Sequence, residues 1–381
     1  MTEQADVVII GGGPVGLALA LALADAGMSL KLIEARTLPA GGRRPLALSY
    51  GSRLILERLG AWARLRAPTP IEAIHVSQSG GFGRVMLMAR ELQLPALGYV
   101  VDYADLHAAL IGALVGTLQA TDGARVLGIS PHDGAAVVNF ENDGVQHSLG
   151  ARLVVVADGG ELPGIAQSRT SDYGQAAVVA TVTSELPHRH VAFERFAREG
   201  PLALLPDRED IAVVWTAVPE RAADLCALSD SEFCAQLERG FGARLGAFRC
   251  AGTRASFPLA LRVATRSSLP ATVLVGNAAQ TLHPVAGQGF NLGLRDAWEL
   301  ADEIRRWGRD AIGSQAMLAA YRRRRRLDRG GGICFTDSLV RLFSNDVAPL
   351  RAARGIGLTL LGCVLPARDF VARRMIFGPR A

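Results

Sequence analysis

A glycine-rich turn near the start of the chain has the residue types and spacing of a dinucleotide-binding motif. Residues 11–16 read Gly-Gly-Gly-Pro-Val-Gly, so Gly11, Gly13 and Gly16 satisfy the pattern G-x-G-x-x-G. These glycines allow a tight turn, a close approach of backbone to a pyrophosphate, and close packing of a helix on a strand. The first N–H groups of that helix also attract phosphate. We therefore expect a phosphate site, which includes Pro14 and Val15; the alternative is a tight turn that binds nothing.

An acidic residue and an arginine follow at positions suited to the rest of a dinucleotide. Glu34 ends the next apolar run, 18 residues after Gly16, and can accept a hydrogen bond from a ribose hydroxyl. We include the neighbouring Ala35 in this site. Arg43 and Arg44 come soon after and can place a guanidinium against the pyrophosphate, and we assign Arg44 to that contact. The alternative is an ordinary pair of solvated arginines in a loop.

Two later stretches also place glycines directly after apolar runs. Asp158 and Gly159 end one such run, although an Asp-Gly pair on its own is more typical of a plain turn. The second stretch, residues 272–297, contains glycines that allow backbone to lie close to a flat ligand, and a helix is expected to begin in it near residue 291. Its candidate site residues are Asn277, Ala278, Pro284, Gly287, Gln288, Gly289, Phe290 and Asn291.

The elements around these motifs alternate between strand and helix. The apolar run 6–10 predicts a strand buried on both faces, residues 17–26 predict a helix, and residues 30–33 predict a second strand. This order is typical of a Rossmann-like unit. Alternating segments at 192–196 and 211–215 predict antiparallel strands, which we expect to form a second layer.

The composition excludes several classes of function. The chain has 381 residues, 49% of them hydrophobic, which suits two or three folded domains and excludes a disordered chain. Aromatic residues make up only 6%, and the arginines behind the net charge of +5 are scattered, so no nucleic-acid partner is expected. Five cysteines without a C-x-x-C pair favour a reducing cytosol and argue against a metal site.

Together the three motifs resemble those of the flavin-dependent aromatic hydroxylases of the para-hydroxybenzoate hydroxylase type. That family carries an N-terminal G-x-G-x-x-G, a central Asp-Gly, and a late Gly-Asp-Ala-Ala…Pro…Gly-Gln-Gly-x-Asn, which occur here in the same order. This chain has Asn277 for the usual aspartate and Gln280 for the usual histidine. These changes resemble the ubiquinone-ring hydroxylases, particularly the 2-polyprenyl-6-methoxyphenol hydroxylases, as do the segments 193–196, 200–206 and 336–340.

The resemblance implies an α/β fold in which a Rossmann-like FAD-binding domain carries an inserted, mainly antiparallel β-sheet substrate domain and a helical C-terminal tail. The expected FAD domain is discontinuous and comprises 1–70, 98–168 and 265–330, with the substrate domain at 71–97 and 169–264 and the tail at 331–381. FAD would be held by the site residues given above, and NAD(P)H would be a co-substrate without a Rossmann domain of its own. No catalytic acid or base is assigned, because His283 fits a structural role beside Pro284.

The implied reaction is hydroxylation of a polyprenylated methoxyphenol in ubiquinone biosynthesis, in which O₂ adds to reduced FAD and the flavin hydroperoxide transfers oxygen to the phenol. Three alternatives stay open: a sister hydroxylase acting at another ring position, an FAD-dependent isoprenoid reductase, and a non-catalytic flavoprotein subunit of a biosynthetic assembly. The expected partners are the polyprenyl phenol, O₂ and other ubiquinone-biosynthesis proteins.

The C-terminal apolar run 355–365 is too short to span a bilayer. Arginines flank it at positions 351, 354, 368, 373 and 374, which suits a helix on a membrane surface, and equally a helix packed on the FAD domain. A substrate carried in the bilayer favours the first interpretation, so we predict a cytoplasmic protein in peripheral contact with the inner face of the cytoplasmic membrane. The arginine run 322–326 is expected to form a helix with solvated side chains.

Overall fold

The computed structural model shows two large sheets with helices and describes residues 4–36, 44–114, 118–160, 162, 165, 167–250, 252–343 and 347–378. Among these residues the strands, in chain order, are β1 (Gln4–Ile10), β2 (Leu30–Glu34), β3 (Pro45–Ser49), β4 (Thr69–Ile71), β5 (Ala73–Gln78), β6 (Arg84–Met88), β7 (Gly98–Asp102), β8 (Gln119–Asp122), β9 (Arg125–His132), β10 (Ala135–Asn142), β11 (Val145–Val156), β12 (Ser168–Ser184), β13 (Val191–Phe196), β14 (Pro201–Asp207), β15 (Asp210–Ala217), β16 (Phe248–Cys250), β17 (Ala255–Ala264), β18 (Ser268–Leu269), β19 (Thr272–Leu274) and β20 (Gln280–Thr281). The α-helices of the same residues are α1 (Pro14–Leu23), α2 (Tyr50–Arg58), α3 (Tyr103–Ala113), α4 (Pro219–Ala227), α5 (Asp230–Phe241), α6 (Gln288–Trp307), α7 (Gln315–Phe343), α8 (Ala348–Cys363) and α9 (Leu365–Phe377).

The N-terminal motif follows a central strand of a mainly parallel sheet. Its strand order is β18-β19-β11-β1-β2-β8, and β10 and β9 extend it from β11. Alternate side chains of β1 enter two cores: Val7 and Ile9 pack toward α1 and α6, and Val8 and Ile10 pack toward β9 and β10. Because β1, β11 and β19 run parallel side by side, their carboxyl ends meet at one edge of the sheet. We call this edge, with the three stretches that follow these strands, the cofactor edge.

The second layer is a nine-stranded, mainly antiparallel sheet. Its order is β20-β17-β12-β15-β14-β13-β5-β6, with β16 paired to β12. The predicted antiparallel segments are confirmed as β13 and β15. One face packs against α4 and α5 around Phe233. The other face, which we call the inner face, is covered by α7, α8 and the segment 283–287 through Val285, Val340, Phe343 and Leu358. The predicted α/β fold class with an antiparallel second sheet is confirmed.

A small antiparallel sheet, β3-β7-β4, lies next to both layers and helps to position the start of α6. The helix begins at Gln288, three residues before the predicted start near residue 291. The residue before it, Gly287, has φ 58°, a left-handed conformation that glycine adopts without strain. An added Cβ on Gly287 would lie 3.1 Å from the Cβ of Ala47 in β3, so the turn also requires a small residue.

The C-terminal helices pack on both layers. Helix α7 runs for 29 residues and contains Gly330, Gly331 and Gly332, so the predicted domain boundary at residue 330 falls inside a continuous helix. Glycines favour a helix end, but buried side chains on both sides, including Arg325 and Val340, hold α7 together. Helix α8 packs on β6, and α9 packs on α2 and α8.

The arginine run 322–326 lies in a helix with several exposed arginines, as expected, but two of the five are not solvated. Arg325 is buried and forms ion pairs with Asp296 at 2.8 Å and Asp328 at 2.6 Å. Arg324 donates to the carboxylates of Asp302 and Glu303 on α6. Acidic residues of α6 therefore pair with these two arginines. Sequence spacing alone does not show that α6 lies beside this run.

No single helix of the described residues is long and apolar enough to cross a membrane. The segments 349–363 and 365–377 reach that length and composition only when taken together, and the chain bends by 95° between them.

Candidate active site

The three glycine-containing stretches predicted from the sequence lie against one another at the cofactor edge. Gly11 has φ 106°, and an added Cβ there would lie 2.6 Å from the carbonyl oxygen of Ala157, immediately before Asp158. A Cβ on Gly16 would contact the carbonyl oxygen of Gly11. A Cβ on Gly276 would lie 3.3 Å from both Cγ atoms of Val15 at the start of α1. The close approach of these three turns therefore depends on glycine.

The carboxylate of Glu34 holds the first turn in place. Its Oε2 accepts a hydrogen bond of 2.5 Å from the Gly12 N–H, and its Oε1 accepts one of 2.8 Å from the Arg36 N–H. The Gly12 carbonyl oxygen lies 2.8 Å from Nε2 of the buried His107, which donates to it. Ala35 is exposed directly after the strand. Glu34 thus lies beside the glycine turn, where the sequence predicts a ribose contact.

Arg44 lies near the open side of the same turn. Its guanidinium carbon is 5.3 Å from the ring centroid of Tyr103, and its backbone N–H donates to Asp102 Oδ2 at 3.0 Å. A Cβ on Gly13 would meet only the Tyr103 hydroxyl, at 3.8 Å, so this side of the turn has room for a ligand. Arg43 lies outside the described residues.

The Asp158-Gly159 turn is held by its own carboxylate and by an arginine from the second sheet. Asp158 accepts from the N–H groups of Gly160 at 2.8 Å and Leu162 at 2.6 Å. The guanidinium of Arg262 in β17 donates to the carbonyl oxygens of Gly159 at 2.8 Å, Gly160 at 2.5 Å and Asn277 at 3.2 Å. Sequence reasoning missed Arg262, which joins two of the three predicted stretches.

A buried ionic network supports the late stretch from behind. Asp296 of α6 accepts from the Gly276 N–H at 3.1 Å, from Gln280 Nε2 at 2.7 Å and from Arg325 Nε at 2.8 Å. Arg325 also donates to Asp328 at 2.6 Å. Gln280, which stands where the wider family has histidine, is therefore a structural ligand of Asp296.

The side chain of Asn291 is fully occupied by the protein. Its Oδ1 accepts from the Ser49 N–H at 2.8 Å and the Ser52 hydroxyl at 2.7 Å, and its Nδ2 donates to the carbonyl oxygens of Ala47 at 3.0 Å and Gly287 at 2.6 Å. What this segment can offer a ligand is therefore backbone: the first four N–H groups of α6 have no partner within the helix.

The remaining predicted residues of the late stretch differ in exposure. Asn277 and Pro284 are exposed, Ala278, Gly287, Gly289 and Phe290 are partly exposed, and Gln288 is buried. Of the exposed pair, Asn277 lies within the stretch 276–280 that Asp296 supports, and Pro284 follows that stretch. This arrangement of a glycine turn, a carboxylate, two helix N-termini and an exposed proline fits a dinucleotide that carries a flat ring.

His283 is buried beside this site, and its proton-accepting ring nitrogen is already used by the backbone. Its Nδ1 accepts from the Val285 N–H at 3.1 Å, and burial lowers the pKa of His283 to about 4. Its ring contacts Tyr173 edge-on, with centroids 5.4 Å apart, and the Tyr173 hydroxyl donates to Asp337 at 3.1 Å. The structural role expected for His283 agrees with these contacts.

An apolar cavity of about 80 Å³ lies next to the start of α6. Its polar lining comes from Ser49, Gln288 and Asn291 at the cofactor side. The rest of the lining is mainly aliphatic and comprises Ala47, Leu48, Ile71, Ile74, Leu87, Leu97, Gly98, Ala372, Met375 and Ile376. The small sheet, α6, the second sheet and α9 therefore share one cavity.

Comparison with known proteins places this architecture in a family. The FAD binding domain family matches residues 4–329. The chain is 39% identical over 375 residues to the ubiquinone hydroxylase UbiL of Rhodospirillum rubrum, covering 93% of this chain and 86% of the relative. It is 32% identical to the 3-demethoxyubiquinol 3-hydroxylase of Escherichia coli, covering 94% and 95%. The crystal structure of p-nitrophenol 4-monooxygenase PnpA from Pseudomonas putida superposes with a TM-score of 0.80 over 100% of both chains at 18% identity.

The chain belongs to the FAD-dependent monooxygenases with the para-hydroxybenzoate hydroxylase fold. Within them it is a ubiquinone-ring hydroxylase, an enzyme of ubiquinone biosynthesis whose cofactor is FAD. The family resemblance stated from the sequence motifs is thereby confirmed.

Proposed function

We propose that this enzyme hydroxylates a polyprenylated methoxyphenol, with NAD(P)H as electron donor and O₂ as co-substrate. The apolar cavity at the start of α6 carries this proposal, because its few polar groups lie on the cofactor side and its other walls are aliphatic. Such a lining suits part of the isoprenoid chain that the ring bears. Similarity to two ubiquinone-ring hydroxylases supports oxygenation rather than reduction of an isoprenoid double bond.

The ring position is tested in a deletion strain. We expect mass spectrometry of its quinones to show the polyprenyl methoxyphenol, and complementation with the intact gene to remove it. Accumulation of a later precursor would assign the chain to another position, as the name of the Escherichia coli relative indicates for that protein. An unchanged quinone pool would contradict both assignments.

We further propose how the chain's residues hold FAD. The cofactor would lie along the cofactor edge, with its pyrophosphate at the first turn, its ribose at Glu34 and its ring beside the 284–291 segment. When bound, FAD supplies electron transfer from NAD(P)H and activation of O₂. The N–H groups at the start of α6 would stabilise negative charge on the ring. The residues proposed to hold it are Gly11, Gly13, Pro14, Val15, Gly16, Glu34, Ala35, Arg44, Asp158, Gly159, Asn277, Ala278, Pro284, Gly287, Gln288, Gly289, Phe290 and Asn291.

The variant Gly13→Ala tests this placement because the fold has room for the methyl group. Gly13 has φ −69°, and its added Cβ would meet only the Tyr103 hydroxyl at 3.8 Å. We expect the purified variant to keep the Tm of the FAD-free parent and to lose its yellow colour. Gly128→Ala, where a Cβ meets nothing within 4 Å, is the control. A Gly13→Ala protein as yellow as the parent would show that the pyrophosphate lies elsewhere.

We also propose that the corner between α8 and α9 rests on a membrane surface. Ile356, Leu360, Val364, Leu365 and Phe370 are 45–70% exposed there, an apolar patch that a bilayer interface would cover. Two of the flanking arginines, however, bind other groups of the protein. Arg354 donates to the carbonyl oxygens of Leu342 and Phe343, and Arg368 pairs with Glu91. Apolar contact, more than charge, would therefore drive binding.

Liposome flotation tests this surface. Deleting the tail would also remove buried residues such as Ile376, so point changes are cleaner. We expect Ile356→Asp with Leu360→Asp to reduce flotation severalfold. A control Leu186→Asp, at an exposed leucine of the β12–β13 connection, should leave flotation unchanged. Equal flotation of all three proteins would exclude this corner as the membrane contact.

A further inference from the structure

A row of five residues crosses the inner face of the second sheet and is less covered than the row next to it. The strand register pairs Val76 with Glu194, Glu194 with Ala203, Ala203 with Val214, and Val214 with Val179. All five are partly exposed. The residues one row along on the same strands are buried: Phe196, Pro201, Thr216 and Ala177. The exposed row therefore marks a shallow trough across the sheet, which we call the trough.

The trough runs from the cavity at one end to an exposed part of β17 at the other. At one end, Ile74 lines the apolar cavity and precedes Val76 by two residues on β5, so it lies on the same face. At the other end, Val179 pairs with Ala255 of β17, which is exposed. Phe257, two residues further along β17, is 54% exposed. A ligand with an apolar chain could therefore lie along the trough with one end in the cavity.

Glu194 is the one charged residue of this otherwise aliphatic trough. Its neighbours Ala192 and Phe196 pack on the inner face, whereas Phe193 packs with α5 on the outer face, so alternation places Glu194 inside. Its Oε1 is buried and has no hydrogen-bond partner among the described residues. Leaving a buried polar atom without a partner is costly, so such an atom points to a ligand that is absent.

Further unpartnered polar atoms lie around the same face. Within the described part of the chain, buried atoms without a hydrogen-bond partner include Gln175 Oε1 and Thr216 Oγ1 on the inner face of β12 and β15. His283 Nε2 and Thr336 Oγ1, on the segments that cover this face, are in the same state. Several unsatisfied groups on or over one face of the sheet favour a ligand with polar groups over an apolar chain alone.

We propose that the trough binds the substrate ring and that Oε1 of Glu194 accepts a hydrogen bond from the ring hydroxyl. This assignment rests on the proposed phenolic substrate. Burial raises the pKa of Glu194 to about 8, so near pH 7 the carboxyl group keeps its proton and can both donate and accept. A phenol hydroxyl and an adjacent methoxy oxygen offer one donor and one acceptor side by side, which matches these two capacities.

Ligand binding to the FAD-loaded enzyme tests the assignment separately from turnover. The probes are 2-methoxy-6-prenylphenol and its methyl ether, which lacks the hydroxyl, and the perturbation of the flavin visible band reports Kd at pH 7. We expect the parent to bind the phenol roughly tenfold more tightly than the ether, the equivalent of one hydrogen bond. Glu194→Leu should abolish this preference and leave the affinity for the ether unchanged within about twofold.

A second variant tests the trough itself. Ala203→Leu adds a larger side chain in the strand next to Glu194, so it should raise the Kd of the phenol and the Kd of the ether by the same factor. A preference for the phenol that survives in Glu194→Leu would overturn the role of Glu194 while the proposed substrate class stands. Failure of the parent to bind either probe would overturn both. An Ala203→Leu protein with parental affinities would show that the ring lies outside the trough.

Discussion

The cofactor edge and the inner face of the second sheet treat their buried polar groups in opposite ways. At the cofactor edge, Glu34, Asp158 and Asp296 each accept two or more hydrogen bonds from the protein. On the inner face, Glu194 and Thr216 each have a buried atom without a partner among the described residues. An unsatisfied buried group costs about 1–3 kcal/mol. These carboxylates of the first region are therefore satisfied by the protein, although Gln280 Oε1 beside them has no partner among the described residues, whereas Glu194 of the second region would gain its missing contact from a ligand.

Breaking the network at the cofactor edge should have the largest effect on stability. Asp296→Ala would leave the buried Arg325 with one carboxylate, Asp328, in place of two and would remove the acceptor of Gln280 and Gly276. We expect the free energy of unfolding in urea to fall by about 3–5 kcal/mol, as for other broken buried ion pairs. Asp302→Ala, at a half-exposed carboxylate of the same helix, should cost below about 1 kcal/mol. Similar losses for both variants would contradict the importance of the buried network.

Replacing the carboxyl group of Glu194 on the inner face should instead stabilise the protein at pH values above about 4.5. The pKa of Glu194 rises from 4.5 to about 8 on folding, so the folded state binds the proton more tightly than the unfolded state. Stability is thus fully present below about pH 4.5 and is lost as the pH rises toward 8. We expect Glu194→Gln to exceed the parent by roughly 1–3 kcal/mol at pH 8, and to match it at pH 4.

Urea unfolding at both pH values measures this difference, with Glu199→Gln at an exposed site of the β13–β14 connection as the control. A Glu194→Gln protein that is less stable than the parent at pH 8 would mean that the carboxylate has partners in the folded state.

The arginine that joins the two regions should have an intermediate effect. Arg262→Ala removes three hydrogen bonds to the carbonyl oxygens of Gly159, Gly160 and Asn277. We expect a loss of about 1–2 kcal/mol in stability and a roughly tenfold rise in the Kd for FAD, because both turns lose their common donor. The stability and the FAD Kd of Arg262→Lys, whose side chain has fewer donors, should lie between those of the parent and those of Arg262→Ala. Arg249→Ala, at an exposed position of β16, is the control, and equal Kd values for both alanine variants would contradict a link to the cofactor.

The smallest expected effects compare two hydroxyl groups directly. Thr216 Oγ1 has no partner among the described residues, so Thr216→Val keeps the shape and should stabilise the protein by about 0.5–1 kcal/mol. The Ser52 hydroxyl donates to Asn291 at 2.7 Å, so Ser52→Ala should destabilise it by about 1 kcal/mol. Changes of the same sign, measured by thermal unfolding, would remove the contrast between the two regions.

The features that the sequence predicted are local ones. The strand, turn and helix of residues 6–26 follow from apolar runs and glycine spacing, and parallel strand order then brings Asp158 and Gly276 to the same edge. Arg262 could not be found in this way, because its contacts depend on how β17 is registered against the rest of the sheet. Asp296 and Arg325 looked like ordinary charged residues of two amphipathic helices, and only the packing of α6 on α7 buries them together.

The sequence did not predict the position of Glu194 on the inner face for a related reason. An alternating segment predicts that its polar positions face solvent, and Glu194 lies at such a position in β13. Its face is covered instead by α7, α8 and residues 283–287, segments more than 80 residues later in the chain. Alternation identifies the two faces of a strand, but distant parts of the chain decide which of them is inside.

The three glycines in the middle of α7 separate two halves with different neighbours. The half before Gly330 carries Arg325 and Asp328, which are tied to the cofactor edge, and the half after Gly332 carries Thr336 and Asp337 over the inner face. Each glycine weakens a helix by about 0.5–1 kcal/mol relative to alanine, so α7 bends more easily at residues 330–332 than an alanine-rich helix would. The two halves of α7, one at the cofactor edge and one over the inner face, are therefore coupled less stiffly than an alanine-rich helix would couple them.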